Sequence, residues 1–542
     1  MNRVFCSPII VIALLGAACS AVPQAVPAGS GSEVAQPKHG GTLLTRISRD
    51  FDDQDVSYTG QNFMTPMAYS SLLAFKKGPD VKYDELTLEP ELAERWEVAP
   101  DAKTFTFHLR KGVKYANLPP VNGRELTSAD IKWSYEYATR TGQFKGLPPG
   151  NKAWMFEGID RVETPDPYTA VVHFQIPNVP FIYYSADDVN PIMPREIFEQ
   201  DGHYKDRIVG SGPFQLDVAA SQKGSRYAWK KHPGYWEQGK PYLDEVRWVV
   251  VADSSAALAA FQTKQLDHLG VESFDYRTSL EFKKQNPEAV LHQYPSEAGL
   301  HMYILTSRPP LNDLRVRRAL AMAIDREELS RLYAGGSLPW SPTGAMIGLF
   351  TDEEARKLHR YDPAEARRLL TEAGHSRVDI VMNYPGKTRG EVFISIIELL
   401  QAQLKKAGID MALKSIDPTE ASQERRRKDY YVALGSLAQT ETGDWDQAIF
   451  KSYHGKSPGN YGDYVDPELD RLLEAQRAEV DAAKRKELLR SAVKRITDNV
   501  YALDLIYLPN WQAWQPWLKN YAVNRGQRGG HSTHFDRAWL DK

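Results

Sequence analysis

The chain has 542 residues, of which 42% are hydrophobic and 25% charged, and its formal net charge is -3. That length exceeds what one hydrophobic core organises, so two or three lobes are expected. The composition is globular, and the near-neutral charge excludes the basic excess of a nucleic-acid binder.

The chain opens with Arg3 and an almost wholly apolar run from Val4 to Ala18, then Cys19. A positive start, an apolar stretch and small residues (Gly16-Ala17-Ala18) are the layout of a secretory signal peptide. The run is shorter than the ~20 residues a transmembrane helix needs. Both cysteines, Cys6 and Cys19, lie here. The body of the protein therefore has no disulfide, thiolate nucleophile or Cys-ligated metal. Cys19 resembles the acceptor of a bacterial lipobox, which implies a diacylated first residue of the mature protein. Gly16 stands where that signal prefers Leu, Val or Ile, and the alternative is cleavage near Ala21 with release of a soluble protein. Residues 20–38, rich in Ala, Pro, Gly and Ser, read as a flexible tether.

Beyond the tether, strands and helices alternate. Phe105, Phe107 and Leu109 fall on one face of a strand from Thr104 to Leu109. Thr127 and Asp130 have capping-box spacing before a helix from Ile131 to Arg140, and Asp166-Pro167 turns into a strand from Thr169 to Phe174. The apolar run Val246–Ala252 reads as a buried strand. A helix spans Asn312–Ile324, Asp325 caps the next one, which Gly335 ends, and Asp362-Pro363 caps another that ends at Gly374. A complete α/β unit follows: strand Val378–Tyr384, helix Glu391–Ala407 with Phe393, Ile396, Ile397, Leu400 and Leu404 on one stripe, and strand Asp410–Ile416. Asp466-Pro467 opens a long helix or helix pair to about Val500, on which Lys484-Arg485-Lys486, beside Glu479, Asp481 and Glu487, reads as a solvated face. The fold class is α/β, with antiparallel strands in the first third.

Several stretches, in order, carry a resemblance. They include Leu88-Glu89-Pro90-Glu91-Leu92-Ala93-Glu94-Arg95-Trp96, Asn122-Gly123-Arg124-Glu125-Leu126-Thr127-Ser128-Ala129-Asp130, and Gly210-Ser211-Gly212-Pro213-Phe214. Pro309-Pro310-Leu311-Asn312-Asp313, Ala323-Ile324-Asp325-Arg326 and Tyr361-Asp362-Pro363-Ala364-Glu365-Ala366 continue the series. Together they resemble the bacterial extracellular solute-binding proteins of family 5, the oligopeptide, dipeptide and nickel binders of ABC importers. One departure is Thr306, where the family has an Asn at a strand end.

The resemblance implies a periplasmic-binding-protein-like clamshell of two α/β lobes with an additional domain inserted in the first. It places lobe I at 39–75, 205–295 and 508–540, the additional domain at 76–204 and lobe III at 296–507. A ligand, in most such proteins a peptide, sits between lobes I and III and is handed to a membrane permease. Such a carrier is expected to be a monomer, to lie on the extracytoplasmic face of the membrane or in the periplasm, and to need no cofactor.

In the peptide-binding members an acid on a lobe III loop holds the ligand's amine. The matching stretch, 437–446, offers Glu441 and Asp444, with Asp446 the weaker candidate and Trp445 a stacking surface. Tyr384 and Arg389 flank a strand-to-helix loop of the kind at which open α/β sheets bind ligands, with Arg389 suited to a carboxylate. Phe51 and Asp52 follow the first strand, and Tyr303 to Thr306 and Ser211-Gly212 are further cleft candidates. Trp511 and Trp514 read as core.

Enzyme signatures are missing from the sequence: there is no Gly-x-Ser-x-Gly elbow and no His-Glu-x-x-His. Gly386-Lys387-Thr388 mimics the end of a phosphate-binding loop, but Val381 stands where the leading Gly belongs. His531 and His534 read as part of a mobile polar tail rather than a metal site. The expected activity is binding without chemistry. An oligosaccharide, an opine or a nickel chelate (for which His301 or His454 are the placed imidazoles) is the alternative ligand, and sensing for a membrane receptor the alternative role.

Overall fold

Two long strands, Val290–Ile304 and Ala502–Trp514, pair antiparallel at the centre of the molecule and run through both of its halves. The computed structural model describes residues 36–50, 55, 64–83, 85–148, 153–272, 276–335, 348–386, 390–436, 444–524 and 534–542. Lys38–Lys542 forms one compact unit. In that unit the two long strands belong to a ten-stranded mixed sheet. Its order is Ile409–Ser415, Val378–Tyr384, Val432–Ser436, Val290–Ile304, Ala502–Trp514, His268–Glu272, Thr42–Ile47, Glu245–Val250, Arg226–Lys231 and Phe214–Gln222.

The central ladder is interrupted. Val290 pairs with Trp514 and the register holds to Pro295 opposite Pro509; it resumes, shifted, at Gly299 opposite Tyr507. Proline has no amide hydrogen, so two prolines facing each other give the ladder no donor at that step. The break divides the sheet into a first half, at the Thr42–Ile47 end, and a second half, at the Val378–Tyr384 end.

The cores follow the same division. In the first half, Leu43, Trp229 and Trp248 share a cluster with Phe105, Phe107 and Leu109 of a separate antiparallel sheet, Ala93–Val98, Thr104–Leu109, Thr169–Phe174 and Ile159–Asp166. In the second half, Met302, Ile304, Ile380 and Met382 pack with Ile396, Leu400 and Leu404, the apolar stripe of the helix Gly390–Lys406. A third cluster, Ile449, Leu473, Leu489 and Val493, joins the helices Trp445–Tyr453, Pro467–Ala478 and Ala482–Asn499.

The locally encoded elements appear where the sequence places them. Thr127 and Asp130 form the capping box of the helix Ser128–Thr139, with the Thr127 amide donating to Asp130 at 2.9 Å. Asp325 caps Arg326–Ala334 through the Glu328 amide at 2.9 Å. Asp362 caps Pro363–Glu372 in the same way. The region after Asp466 is a helix pair, Pro467–Ala478 and Ala482–Asn499, the second capped by Asp481. One strand differs: Glu245–Val250 alternates, with Val246 and Trp248 buried and Val249 and Val250 half-buried. It lies between a parallel and an antiparallel neighbour, and only one of its faces meets the main core. No described helix is long and apolar enough to cross a membrane.

Candidate ligand cleft

Three strands of the second half end together beside the break. Val378–Tyr384 runs parallel to Ile409–Ser415, Tyr384 opposite Ser415, and parallel to Val432–Ser436. Val432–Ser436 is in turn antiparallel to Val290–Ile304, and its last residue lies opposite Leu300, next to the interrupted ladder. Outside the carboxyl ends of such strands the connections splay apart and leave a crevice. Here those strand ends lie beside the interrupted step of the central ladder.

On the strand face turned away from the second-half core, His301 and Tyr303 alternate with the core residues Leu300, Met302 and Ile304. His301 Nδ1 lies 2.7 Å from Asp504 Oδ1, and both side chains are buried. The Tyr303 ring meets His301 and Tyr461 edge-on at 4.5 and 5.4 Å, and burial pushes its phenol pKa up. Asn383 donates to Glu424, which also holds Lys414 at 3.3 Å. The Arg425 guanidinium lies over Tyr303, 5.5 Å from the ring centre. Tyr384 is half-buried against the core, and its carbonyl accepts from the Ile416 amide at 2.9 Å.

A second charged cluster is closed. Asp444 caps the helix Trp445–Tyr453, accepting from the Asp446 amide at 2.8 Å, and meets Arg485 through two hydrogen bonds of 2.7 and 2.8 Å. Asp446 accepts from Arg477 at 2.8 and 2.9 Å, from Tyr184 at 2.9 Å and from Gln476. Asp444 is 1% exposed and Asp446 fully buried. Burial alone would raise the Asp446 carboxyl, but the charge of Arg477 and its hydrogen bonds outweigh burial and hold the pKa below the usual range.

The comparisons with known proteins agree with this architecture. The model of the bacterial extracellular solute-binding proteins, family 5 (middle), matches residues 87–460. The chain belongs to that family. Among its relatives, the dipeptide-binding protein of Escherichia coli K12 is 25% identical over 497 residues, covering 87% of this chain and 89% of its own. The glutathione-binding protein GsiB of the same strain is 25% identical, covering 81% and 83%. The periplasmic binding protein DppA of Helicobacter pylori, solved in complex with the peptide STSA, superposes with a TM-score of 0.72 at 21% identity, covering 93% and 99%.

Several expected roles in this family 5 protein need correction. Asp444 and Asp446 do not present acceptors to a ligand amine: their oxygens are engaged by arginines inside a buried network. Arg485 does not belong to a solvated basic face either. It is 4% exposed and paired, and only its neighbours Lys484 and Lys486 reach solvent. Ser211 and Gly212 line no cleft. Ser211 is fully buried, and a Cβ at Gly212 would lie 2.6 Å from the Ala68 carbonyl carbon and the Tyr69 amide nitrogen, so this turn is a packing joint. His534 is no free tail residue: it bridges Asp188 at 2.8 Å and Lys77 at 3.1 Å.

Trp511 and Trp514 are buried core, as their sequence context suggests. Trp445 is half-buried against the helical cluster. His301 is committed to Asp504, and His454 lies 3.2 Å from Glu474; no cluster suited to a metal occurs among the described residues. Thr306 donates both its amide and its hydroxyl to Gly462 O at 2.9 Å, which gives the family-divergent position a structural tie. Glu441, Arg389, Phe51, Asp52, His531 and Cys19 lie outside the described residues. Sequence reasoning passed over Arg425 and Tyr184. The first sits in a run of three arginines that looks like a helix end, and the second acts on a residue 262 positions away.

Proposed function

We propose that this solute-binding protein captures a peptide between its two halves and delivers it unchanged to the permease of an ABC importer. The observation that carries the reading is the broken central ladder: two halves with separate cores, joined through a step at which Pro295 faces Pro509, with a crevice of strand ends beside it. A ligand touching both halves favours the closed arrangement through its differential contacts. Peptide is preferred to sugar, opine or chelate because the relatives with broad coverage are named for a dipeptide and for glutathione.

On this reading the moving bodies are 39–75, 205–295 and 508–540 with 76–204 on one side, and 296–507 on the other. With Asp444 and Asp446 engaged elsewhere, Glu441 is the acid left for the ligand's amine, and Arg389, Tyr384, Phe51 and Asp52 are its neighbours in the cleft. The carrier acts as a monomer outside the cytoplasm, tethered through a lipid on Cys19.

The test is thermal unfolding of residues 38–542 against di- to pentapeptides, oligosaccharides and nickel chelates. A true ligand at a hundredfold excess over its Kd adds about 2.7 kcal/mol of stability. The expected result is a shift with free peptides that is lost on acetylating their amine or in Glu441→Gln. A shift with sugars or chelates alone would remove the peptide assignment. For the anchor, mass spectrometry of the membrane fraction should find Cys19 diacylated, and Cys19→Ser should release the protein.

A further inference from the structure

The strand Phe214–Gln222 is the last in the order of the ten-stranded sheet, seven places from Val432–Ser436 and the crevice. At about 4.8 Å per strand, its edge lies on the order of 30 Å from that site. One hydrogen bond fixes the phase of its single ladder: the His232 amide donates to Pro213 O at 2.9 Å. The register then makes Gln215 opposite Lys230 the next bonded pair, and Leu216 opposite Trp229 a non-bonded one. The Lys231 amide, which donates the other way to Asp244 O at 2.8 Å, agrees with that phase. The Leu216 amide and carbonyl therefore point outward, and neither has a partner among the described residues.

A bare strand edge is a template for another extended chain. This one also has a cavity beside it. Leu118, Pro119, Ile208, Val209, Leu216 and Val218 supply the apolar lining of a space of about 430 Å³. That volume is within the ~300–1,000 Å³ of small-ligand sites. Val218 is 75% exposed, the kind of apolar surface that a bound molecule would cover. The cations at the cavity are already taken, Lys230 by Asp217 at 2.5 Å and Arg207 by Asp201 at 2.6 Å, and Asp206 is left in solvent. What remains unsatisfied there is neutral: apolar surface, one amide donor and one carbonyl acceptor. The usable edge is short, because the ladder is broken between Asp217 and Gln222. It pairs a small ligand, not the long strand of a protein partner.

We propose that this cavity is a second binding site, for a small uncharged apolar peptide. An extended residue presents its own N–H and C=O on one side, which matches the outward pair of Leu216, and an apolar side chain of the ligand fills the cavity. The site is separate from the crevice, and both can be occupied at once.

The test is calorimetric titration with N-acetyl-valyl-leucine methylamide, which has no free amine or carboxylate, and with the same compound N-methylated at both residues. Wild type should bind the first about three- to tenfold more tightly than the second, the weight of a neutral hydrogen bond. Hydrogen exchange read by mass spectrometry should show added protection in 214–222 and none in 432–436. Leu216→Pro deletes the outward donor but no ladder bond, and should weaken binding of the capped peptide about three- to tenfold. Val218→Asp sets a charge against the apolar lining and should weaken it about tenfold or more. If Leu216→Pro does not fold, Val218→Asp, at an exposed position, decides. Binding unchanged in both variants, or protection at 432–436 instead, would overturn the assignment. So would a wild type that binds no capped peptide, and the crevice reading would then be untouched. A wild type that protects 214–222 with the capped peptide and responds to no free-ended solute would keep this site and remove the crevice reading.

Discussion

Two charged neighbourhoods in the second half of the sheet and its attached helices behave in opposite ways. Around Asp444 and Asp446 each carboxylate is met by an arginine, and Tyr184, from the part of the chain that packs with the first half, completes the set. Around Tyr303 the acids are matched, while the Nε of Arg425 is buried without a hydrogen-bond partner among the described residues. A closed network holds elements together and has no capacity for a newcomer, whereas a buried donor without an acceptor keeps its desolvation cost. Acidic residues near a crevice are therefore weak evidence for a ligand site.

The contrast breaks most sharply at Arg477. Arg477→Met leaves Asp446 buried with only Tyr184 and Gln476 as donors, and should destabilise the protein by about 3–5 kcal/mol in urea unfolding. The affinity of the folded fraction for solute should barely change. A large loss of affinity without loss of stability would place Asp446 in the binding site after all.

Glu91 sharpens the comparison from another side. It lies by a cavity of about 30 Å³ lined by Lys77, Asp188, His534 and Asp536, and the Ser71 amide reaches it at 3.3 Å. Burial pushes its carboxyl up to about 8, against the opposing pull of Lys77. The folded state thus holds this proton more tightly than the unfolded chain. The contribution to stability is complete below the unfolded pKa of 4.5 and is lost as pH rises towards 8. Glu91→Gln should remove on the order of 2 kcal/mol of this decline, measured as urea midpoints at pH 4.5 and pH 9.

Tyr184→Phe tests whether the network also ties the halves together. It should cost about 1.5 kcal/mol, one hydrogen bond to a charged group. Small-angle scattering should show a larger ligand-free radius of gyration if that bond helps hold the halves closed. The smallest effect belongs to Lys484→Ala, one residue from Arg485: its side chain is exposed, and the change in stability should stay within about 0.5 kcal/mol.

What the sequence disclosed follows from range. Asp325, Asp362, Asp466 and Asp481 cap helices through bonds to residues three positions on, so spacing alone reveals them. The α/β unit from Val378 to Ser415 carries its pattern within forty residues and was legible almost to the residue. The fates of Asp444 and Arg485 were not. They meet across 41 positions, and nothing in Lys484-Arg485-Lys486 marks the middle residue as the buried one. Arg425 was hidden in the same way between Glu424 and Arg426. A charged side chain can be sealed or open, and that depends on which distant residue the fold places beside it.

The place of the strand Ala502–Trp514 has a further consequence. It lies between Val290–Ile304, which serves both halves, and His268–Glu272 of the first half. Until residue 502 of 542 has been made, neither half of the sheet has its inner neighbour. Long-range pairing of this kind is slow to form. A growing chain of this topology stays unfinished through most of its synthesis, with two strand edges unpaired, and reaches its stable form only at the end.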